Sequence, residues 1–321
     1  MTETTVPPAM VALSARGAVE VTGADRVSYL HAVLSQDIEG LEAGRCTGAL
    51  QLDAQGRPLA MVDVLALGDR HVLLTVDREG AESLAASLAS RTFLADARFA
   101  PLDVSVLTLR GRDAHGVVVR ADLGDVAAGR AVEVDAVIVA GGEDAADVVV
   151  PLEESATWLG RLVRAGAEAV DAAAIEAWRI AHGVPGWARE VRAPHLPEEA
   201  GVLPTHVHLA KGCYPGQEAV ARMWMLGRPR RRLATVLLAG SAGAGWTAGS
   251  GKERVEVTSA AEHADERVGL AYVPPSARPG DRFGDDQAGV VVRALVGDDR
   301  PVPGHDPTVT RRRDRRASAG Q

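Results

Sequence analysis

The sequence predicts an α+β fold that ends in a small all-β unit. Predicted strands and helices alternate in the first part of the chain, whereas from Arg232 onward short apolar runs are separated by Gly and Pro turns without helical spacing. Apolar residues make up 46% of the 321 residues, which is enough for a sizeable core in one large or several modest domains. With only five Trp, three Tyr and three Phe, that core must consist mainly of Val, Leu and Ala.

The elements of the first lobe follow from apolar spacing and turn residues. Val27, Leu30 and Leu34 recur at helical spacing behind Asp25, where a helix can open. Turn-forming residues such as those at 53–56 separate the apolar runs that follow, which predicts an antiparallel meander. The predicted elements are a strand at 19–22, a helix from Asp25 to about Ser35, strands at 49–52, 59–67 and 72–76, a helix at 79–89 and a strand at 104–109.

The rest of the chain is predicted in the same way. Asp171 is a suitable N-cap for a helix that ends near His182, before Gly183 and Pro185. Residues 185–204 contain four prolines and little periodicity, which predicts an ordered loop over a surface. The remaining predicted elements are a strand at 148–152, a helix at 154–165, and strands at 233–238, 255–258, 268–273 and 289–296. Residues 301–321 hold almost no large apolar side chain, which predicts disorder.

Charge and cysteine content argue against several functional classes. The chain has 35 Lys and Arg against 43 Asp and Glu, and its net charge of −8 argues against a surface that tracks nucleic acid. No apolar stretch reaches the ~20 residues that a membrane helix needs, and residues 1–9 lack the basic and apolar regions of a secretory signal. Two cysteines are too few for a disulfide framework. We therefore expect a cytosolic protein that does not use a membrane or a specific nucleic acid as partner.

One segment carries most of the chemical information. Its glycines allow a tight loop that presents a thiol, and a helix that begins near Gly216 would point free N–H groups toward Cys213. Lys211 lies two residues from Cys213, and both features favour the thiolate. A lone cysteine is nevertheless most often a small buried side chain, and core packing is the interpretation we adopt for Cys46, which lies in a strand-like segment. The segment reads Lys211-Gly212-Cys213-Tyr214-Pro215-Gly216-Gln217-Glu218, with Arg222 four residues further on.

This segment resembles the Lys-Gly-Cys-Tyr-x-Gly-Gln-Glu motif of the YgfZ-type folate-binding proteins. That family is related to the glycine-cleavage aminomethyltransferase, or T-protein, and to the folate domains of dimethylglycine and sarcosine dehydrogenases. Shorter matches extend over most of the chain up to about Arg300. They are Gly23-Ala-Asp25, Tyr29-Leu30 and Ser35-Gln-Asp37 around the first helix, Gln55-Gly56-Arg57 in the first hairpin, and Arg179-Ile180 with Gly183-Val-Pro185 before the motif.

The resemblance implies a T-protein-like fold. It consists of two α+β folate-binding lobes with ferredoxin-like elements, and a small C-terminal β-barrel, around a central channel. The implied divisions are a first lobe at 1–105, a second lobe at 106–228, the barrel at 229–300 and a disordered basic tail at 301–321. The channel would hold tetrahydrofolate or a derivative.

The resemblance also implies a function and a set of site residues. The implied function is that of an accessory protein that supports the assembly or repair of iron–sulfur enzymes, with reduced folate and iron–sulfur client or assembly proteins as partners. Cys213 would perform a redox or transient covalent step beside the folate, and Lys211 would lower the pKa of its thiol. Gly212 and Gly216 would shape the loop, and Glu218 with Arg222 would hold it. The implied cofactor-binding residues are Tyr214, Gly212, Gly216, Gln217, Glu218 and Arg222.

Two departures from the T-protein favour the iron–sulfur branch, and two alternatives stay open. Cys213 stands where the transferase has an acidic residue, and Ala181 stands where the transferase has the Glu that grips the pterin. The first alternative is a one-carbon transferase or demethylase, which needs a carboxylate near the folate such as Asp37 or Glu176. The second is a non-catalytic interaction scaffold. Whether the chain is an enzyme is left open.

Three further groups of residues each have a functional and an ordinary interpretation. His206 and His208 could join Cys213 in a metal site, but loop histidines are the commoner case and we predict no metal. A basic run could attract a polyglutamate folate tail or another acidic partner, or it could be a solvated face. Three tryptophans could line a pterin pocket or lie in the core. The basic run is Arg228, Arg230, Arg231 and Arg232, with a second run at 311–316, and the tryptophans are Trp178, Trp187 and Trp224.

Overall fold

Three β-sheets joined by short helices make up the chain in a computed structural model, which describes residues 8–75, 78–226, 229–285, 287–298 and 300–305. The helices are α1 (Arg26–Val33), α2 (Arg78–Ala89), α3 (Ala114–Arg120), α4 (Ser155–Arg164), α5 (Ala172–Ala181), α6 (Leu203–His206) and α7 (Gln217–Leu226). The first strands are β1 (Met10–Ser14), β2 (Ala18–Thr22), β3 (Arg45–Leu52), β4 (Pro58–Ala66), β5 (His71–Leu74), β6 (Arg98–Pro101), β7 (Val104–Arg110) and β8 (Ala131–Val134). The later strands are β9 (Val137–Gly142), β10 (Ala145–Pro151), β11 (Glu168–Ala169), β12 (Arg232–Gly240), β13 (Thr247–Ala248), β14 (Val255–His263), β15 (Glu266–Val273), β16 (Arg282–Gly284) and β17 (Ala288–Leu295).

The first sheet is antiparallel in the order β3-β4-β5-β2-β6. Alternate side chains such as Val19, Val64 and Leu73 point to one face and pack against α1 and α2. The predicted meander and both predicted helices of this lobe are confirmed. The edge strand β6 was not predicted, because its sequence, Arg-Phe-Ala-Pro, lacks apolar alternation and ends in a proline that only an edge strand accommodates.

The second sheet has the order β11-β1-β7-β10-β9-β8 and packs against α3 and α4. It includes β1, the first strand of the chain, which pairs with β7 and β11. The chain therefore contributes β1 to the second sheet before it enters the first sheet with β2, an arrangement that local sequence patterns do not encode. The strand predicted at 104–109 is β7 and belongs to this second sheet.

The two sheets pack face to face through the side chains that point away from the helices. Leu65 and Val72 of the first sheet meet Val106 and Val149 of the second in one buried cluster. The lobes thus form helix, sheet, sheet and helix layers, and the strands between them are apolar on both faces. The continuous valine run in β10 follows from this double burial.

The C-terminal sheet curls into a barrel-like unit, as the fold class predicted. Its order is β13-β14-β15-β12-β17-β16, with antiparallel pairing throughout. The indole of Trp246, beside β13, lies against Gly284 of β16, which brings the two edges together. Ile180 of α5 packs on Leu270 and Tyr272, so that α5 joins the barrel to the second lobe. The N-cap predicted for α5 is confirmed, since the Asp171 carboxylate accepts a hydrogen bond from the Ala174 N–H at 2.9 Å.

The start of the predicted tail packs on the domain core. Val302 is buried in a cluster with Trp224, and the Pro303 carbonyl accepts a hydrogen bond from the Leu209 N–H at 2.9 Å. The expectation of disorder therefore does not hold for residues 301–305, where one buried valine and a backbone hydrogen bond fix the chain. Residues 306–321, with the basic run at 311–316, lie outside the described residues. No helix among the described residues is long and apolar enough to cross a membrane.

A buried charge network connects the two sheets. The Arg16 guanidinium donates to Asp63 of β4 and, at 2.6 Å, to Asp147 of β10. Asp147 is 8% exposed and also accepts hydrogen bonds from Thr108 at 2.8 Å and Arg110 at 3.3 Å. A buried carboxylate is tolerated only when it is paired and hydrogen-bonded in this way.

Removing the charge of Asp147 should destabilise the fold. We expect Asp147→Asn to lower the free energy of unfolding by about 3 kcal/mol, because Arg16 and Arg110 would be left without their buried counter-charge. Burial raises the pKa of Asp147, but Arg110 and Arg16 lower it by more, so that the folded-state pKa lies below its ordinary value. The stabilisation is therefore present at neutral pH and is lost as the pH falls through the folded-state pKa.

Urea unfolding at several pH values measures this effect. The matched control is Asp69→Asn, whose carboxylate is 90% exposed and should change stability by less than ~0.5 kcal/mol. Equal unfolding midpoints for the two variants would contradict the assigned role of Asp147.

Candidate functional site

The loop that carries the sequence motif docks on the first hairpin. Gly216 has φ +81°, and a Cβ atom there would lie 2.4 Å from the Asp53 carbonyl oxygen and 2.7 Å from the Gly56 Cα. Glycine is required at this position both by the left-handed backbone and by the close approach. The Asp53 carboxylate orders the turn, because it accepts hydrogen bonds from the N–H groups of Gln55 at 2.9 Å and Arg57 at 2.8 Å. Two motifs that lie far apart in sequence therefore meet in the fold.

Lys211 fixes the other end of the loop. Its Nζ donates hydrogen bonds to the His31 carbonyl and, at 2.7 Å, to the Leu34 carbonyl at the C-terminal end of α1. It also lies 4.9 Å from the centre of the Tyr214 ring. Burial lowers the pKa of Lys211 to about 8, although the charges of Asp37, Glu39 and Cys213 act in the opposite direction. A cation at the C-terminus of a helix satisfies carbonyls that have no partner within the helix.

Cys213 is a free, exposed thiol, as the sequence predicted. It lies between Lys211 and α7. Because α7 begins at Gln217, the predicted helix start near Gly216 is confirmed. Its chemical role stays a prediction. Cys46 shows the predicted contrast, because it packs against the interface between the two sheets and burial raises its pKa to about 12.

Of the other motif residues, Tyr214 and Gln217 make contacts that hold the loop, whereas Glu218 and Arg222 are exposed. Tyr214 is 9% exposed and belongs to a core cluster, and burial raises its pKa to about 12. The Gln217 side chain accepts a hydrogen bond from the Tyr214 N–H at 3.3 Å. Glu218 and Arg222 are both exposed, and no ion pair joins them in the described part of the chain. The expected ion pair is therefore not formed, since solvated side chains gain little from such a contact, and the role of the two residues toward a ligand stays a prediction.

The predicted histidines and tryptophans mainly have packing roles. His206 is half-buried, with its ring against Gly48 and its Nδ1 2.7 Å from the Thr205 hydroxyl. No group of three or more His, Cys, Asp or Glu side chains in the described residues could hold a metal ion. Trp178 and Trp224 are 5% and 8% exposed, which favours the core interpretation for both.

The two carboxylates that we considered for proton handling are already engaged. Glu176 accepts hydrogen bonds from Arg179 at 2.7 and 2.8 Å, and its pKa is lowered mainly by this contact, against the effect of burial. The Asp37 carboxylate accepts a hydrogen bond from the Gly40 N–H at 3.1 Å and lies 3.3 Å from the Nδ1 of His31. Ala181 is half-buried at the end of α5 and offers no carboxylate.

A cleft of about 910 Å³ opens where four parts of the chain meet. They are the first hairpin between β3 and β4, the proline-rich loop at 185–204, α7 and the barrel. Its walls include His195, whose ring stacks on Tyr272 at a centroid distance of 3.9 Å. Burial lowers the pKa of His195, and Arg231 lowers it further although Glu199 acts in the opposite direction, so the imidazole is neutral at pH 7. A second cavity of about 160 Å³ lies beside Thr108 and Glu176. Neither of these two cavities is lined by Cys213.

Four cationic side chains surround the larger cleft. They come from the first hairpin, the segment before the barrel and the barrel itself, and none forms an ion pair with a carboxylate among the described residues. Glu199 is the acidic lining residue, and it is 4% exposed and already accepts hydrogen bonds from the Arg230 N–H at 2.8 Å and the Leu196 N–H at 3.1 Å. The cations are Arg57, Arg230, Arg231 and Lys252. Arg228 lies outside the described residues.

Sequence reasoning identified Arg230 and Arg231 but not the residues that join them. Arg57 belongs to a matched motif, yet nothing local indicates that its side chain reaches the basic run. The sequence does contain an indication of the Asp63–Arg16–Asp147 network, because a single aspartate lies within each of two apolar strands, β4 and β10. Such a residue must be paired when the strand is buried on both faces.

Comparison with known proteins supports the fold. No protein-family model matches the chain. The structure of the glycine cleavage system aminomethyltransferase T from Bartonella henselae is similar, with a TM-score of 0.80 and 19% identity over 93% of this chain and 88% of that one. A chloroplastic Arabidopsis thaliana protein that is provisionally named a transferase is 25% identical over an alignment of 287 residues, and the match covers 84% of this chain. The matched region spans 66% of that relative's length. The chain thus has the T-protein-like fold that the sequence predicted.

One exposed and one protected thiol predict selective alkylation. At neutral pH, iodoacetamide should modify Cys213 in the folded protein and leave Cys46 unmodified, because the thiolate is the reacting species and burial disfavours it at Cys46. Mass spectrometry of tryptic peptides measures the two rates.

Two variants check the assignment. Cys213→Ala should abolish the fast modification by iodoacetamide, and the matched Cys46→Ala should keep it. Fast modification of Cys46 in the folded wild type would contradict the structural assignment of the two thiols.

Proposed function

We propose that this chain binds a reduced folate and supports the assembly or repair of iron–sulfur enzymes, with Cys213 as its reactive thiol. The observation that carries the folate part is the cleft of about 910 Å³ next to the hairpin on which the motif loop docks. Ligand sites are typically concave, about 300–1,000 Å³ in volume, and contain a few well-placed polar groups. The T-protein-like fold supports the same ligand class.

The lining residues fit tetrahydrofolate. Its glutamate carboxylates are anions, and Arg231 and Lys252 offer cationic groups without a carboxylate partner in the described ranges. The flat, neutral ring of His195, held on Tyr272, suits contact with an aromatic part of the ligand. When bound, a reduced folate supplies one-carbon or reducing chemistry. The chain's own residues orient it and leave the thiol of Cys213 exposed to a partner.

The iron–sulfur part of the proposal rests on the motif. Cys213 stands in a loop fixed by Lys211 at one end and Gly216 at the other. Exposure and a nearby cation are the conditions under which a cysteine acts on another molecule. Iron–sulfur client or assembly proteins are the partners that the family resemblance suggests.

A second candidate is a folate-dependent aminomethyltransferase or demethylase. It is favoured by the similarity to aminomethyltransferase T, and by the Arabidopsis relative that is provisionally named a transferase. Against it, Ala181 offers no carboxylate, and Glu176 is bound by Arg179. Glu176 is therefore an ionised, occupied acceptor and a poor proton shuttle.

Folate binding can be tested by calorimetry with tetrahydrofolate under anaerobic conditions. We expect one site per chain, and Met223→Glu, which puts a negative charge into the cleft wall, should weaken binding at least tenfold by repelling the ligand carboxylates. Ala221→Glu is the matched control, because it makes a comparable change on the exposed side of the same helix. No binding to the wild type would favour the scaffold interpretation.

The role of Cys213 can be tested in cells that lack this protein. Cys213→Ala should fail to restore the activity of iron–sulfur enzymes although the purified variant folds and binds folate as the wild type does. Cys46→Ala is the matched control and should restore it. Full restoration by Cys213→Ala would remove this thiol from the function.

The transferase alternative has its own assay. Purified protein is incubated with tetrahydrofolate and an aminomethyl donor, and methylene-tetrahydrofolate is measured. We expect none above the background without protein, because no free carboxylate stands at the positions considered. Formation of the product would establish the alternative.

A further inference from the structure

We infer that the cationic cleft binds the oligo-γ-glutamate chain of a polyglutamylated folate. The inference rests on the proposed folate function and specifies which form of the ligand the site selects. Each added γ-linked glutamate contributes one carboxylate to a flexible chain, so the ligand is a polyanion of variable length.

The cleft is positively charged, whereas the whole chain carries a net negative charge. The protein carries a net charge of −8, yet the cleft lining has four cationic side chains and a single acidic one, Glu199. Both carboxylate oxygens of Glu199 already accept backbone N–H groups. The lining therefore carries an excess of positive charge that Glu199 does not balance, and a bound polyanion would balance it.

The positions of the cations suit an extended ligand rather than a single ion. Arg57 stands on the first hairpin, Arg230 and Arg231 precede the barrel, and Lys252 stands on the barrel. Three of the four, all but Arg231, are exposed, so each can follow a mobile chain without a large cost in desolvation. Successive carboxylates can meet successive cations, which a compact anion such as phosphate cannot do.

The size of the cleft is compatible with a folate whose tail extends along the cations. Its volume of about 910 Å³ lies near the upper end of the ~300–1,000 Å³ typical for sites of drug-sized ligands. A monoglutamyl folate is a drug-sized ligand, and the exposed side chains of Arg57, Arg230 and Lys252 are accessible to further glutamates that extend from it. The lining lacks the Phe, Tyr or Trp platforms on which nucleic-acid bases stack, which argues against a single-stranded nucleic acid.

Calorimetry with folates of different tail length tests the inference. Monoglutamyl and pentaglutamyl tetrahydrofolate are compared, and we expect the pentaglutamate to bind at least tenfold more tightly. The advantage should shrink as the salt concentration rises from about 50 to about 500 mM, because exposed charges are screened. The salt series uses the wild type, so it does not depend on whether a variant folds.

A triple variant and a matched control locate the effect. Arg230→Gln with Arg231→Gln and Lys252→Gln should weaken the binding of pentaglutamate more than that of monoglutamate, so that the variant binds the two folates equally well. The control removes three exposed arginines outside the cleft, as Arg98→Gln, Arg164→Gln and Arg282→Gln, and should keep the difference.

The outcomes separate this inference from the proposed function. If monoglutamyl folate binds and the tail length has no effect, the inference is overturned and the proposed function stands. If neither folate binds, both are overturned. A penta-α-glutamate peptide serves as a probe for an acidic protein segment. Tight binding of that peptide, without a tail-length effect for folate, would assign the cleft to a protein partner and overturn the inference.

Discussion

The contact between the motif loop and the first lobe is the constraint on which the candidate site depends. Lys211 satisfies the last carbonyls of α1, and Gly216 lies so close to the turn at Asp53 and Gly56 that any side chain would collide with backbone atoms. Backbone atoms cannot move aside as a flexible side chain can, so this contact fixes the loop. Cys213 is therefore exposed but sits in a loop of fixed position. The same contact holds the hairpin in the position where Arg57 lines the cleft.

Local patterns predicted the elements well where burial is one-sided or a cap is present. Asp171 caps α5, and the apolar spacing of Leu30 and Leu34 marked α1 correctly. The patterns missed β6, whose edge position needs no apolar alternation, and they also missed β1, which pairs with β7 in the second sheet. Pairing between distant strands depends on how faces fit together, which no window of sequence contains.

The candidate site could be predicted only in part, for the same reason. A glycine-flanked cysteine indicated an exposed thiol, and the structure agrees. The sequence also suggested that Glu218 and Arg222 would hold the loop, but that task belongs to Lys211 and Gly216 through contacts with another lobe. Nothing in the sequence around Arg57 or Lys252 indicates that both residues line the same cleft, because only the fold brings them together.

The cleft walls come from separate parts of the chain, which links occupancy to the integrity of the whole molecule. The hairpin, the proline-rich loop and the barrel must all be in place before a ligand can touch them together. A molecule that binds only this assembled state shifts the unfolding equilibrium, by about 2.7 kcal/mol at one hundred times its dissociation constant. The resistance of the chain to heat or proteolysis would then rise with the concentration of such a molecule.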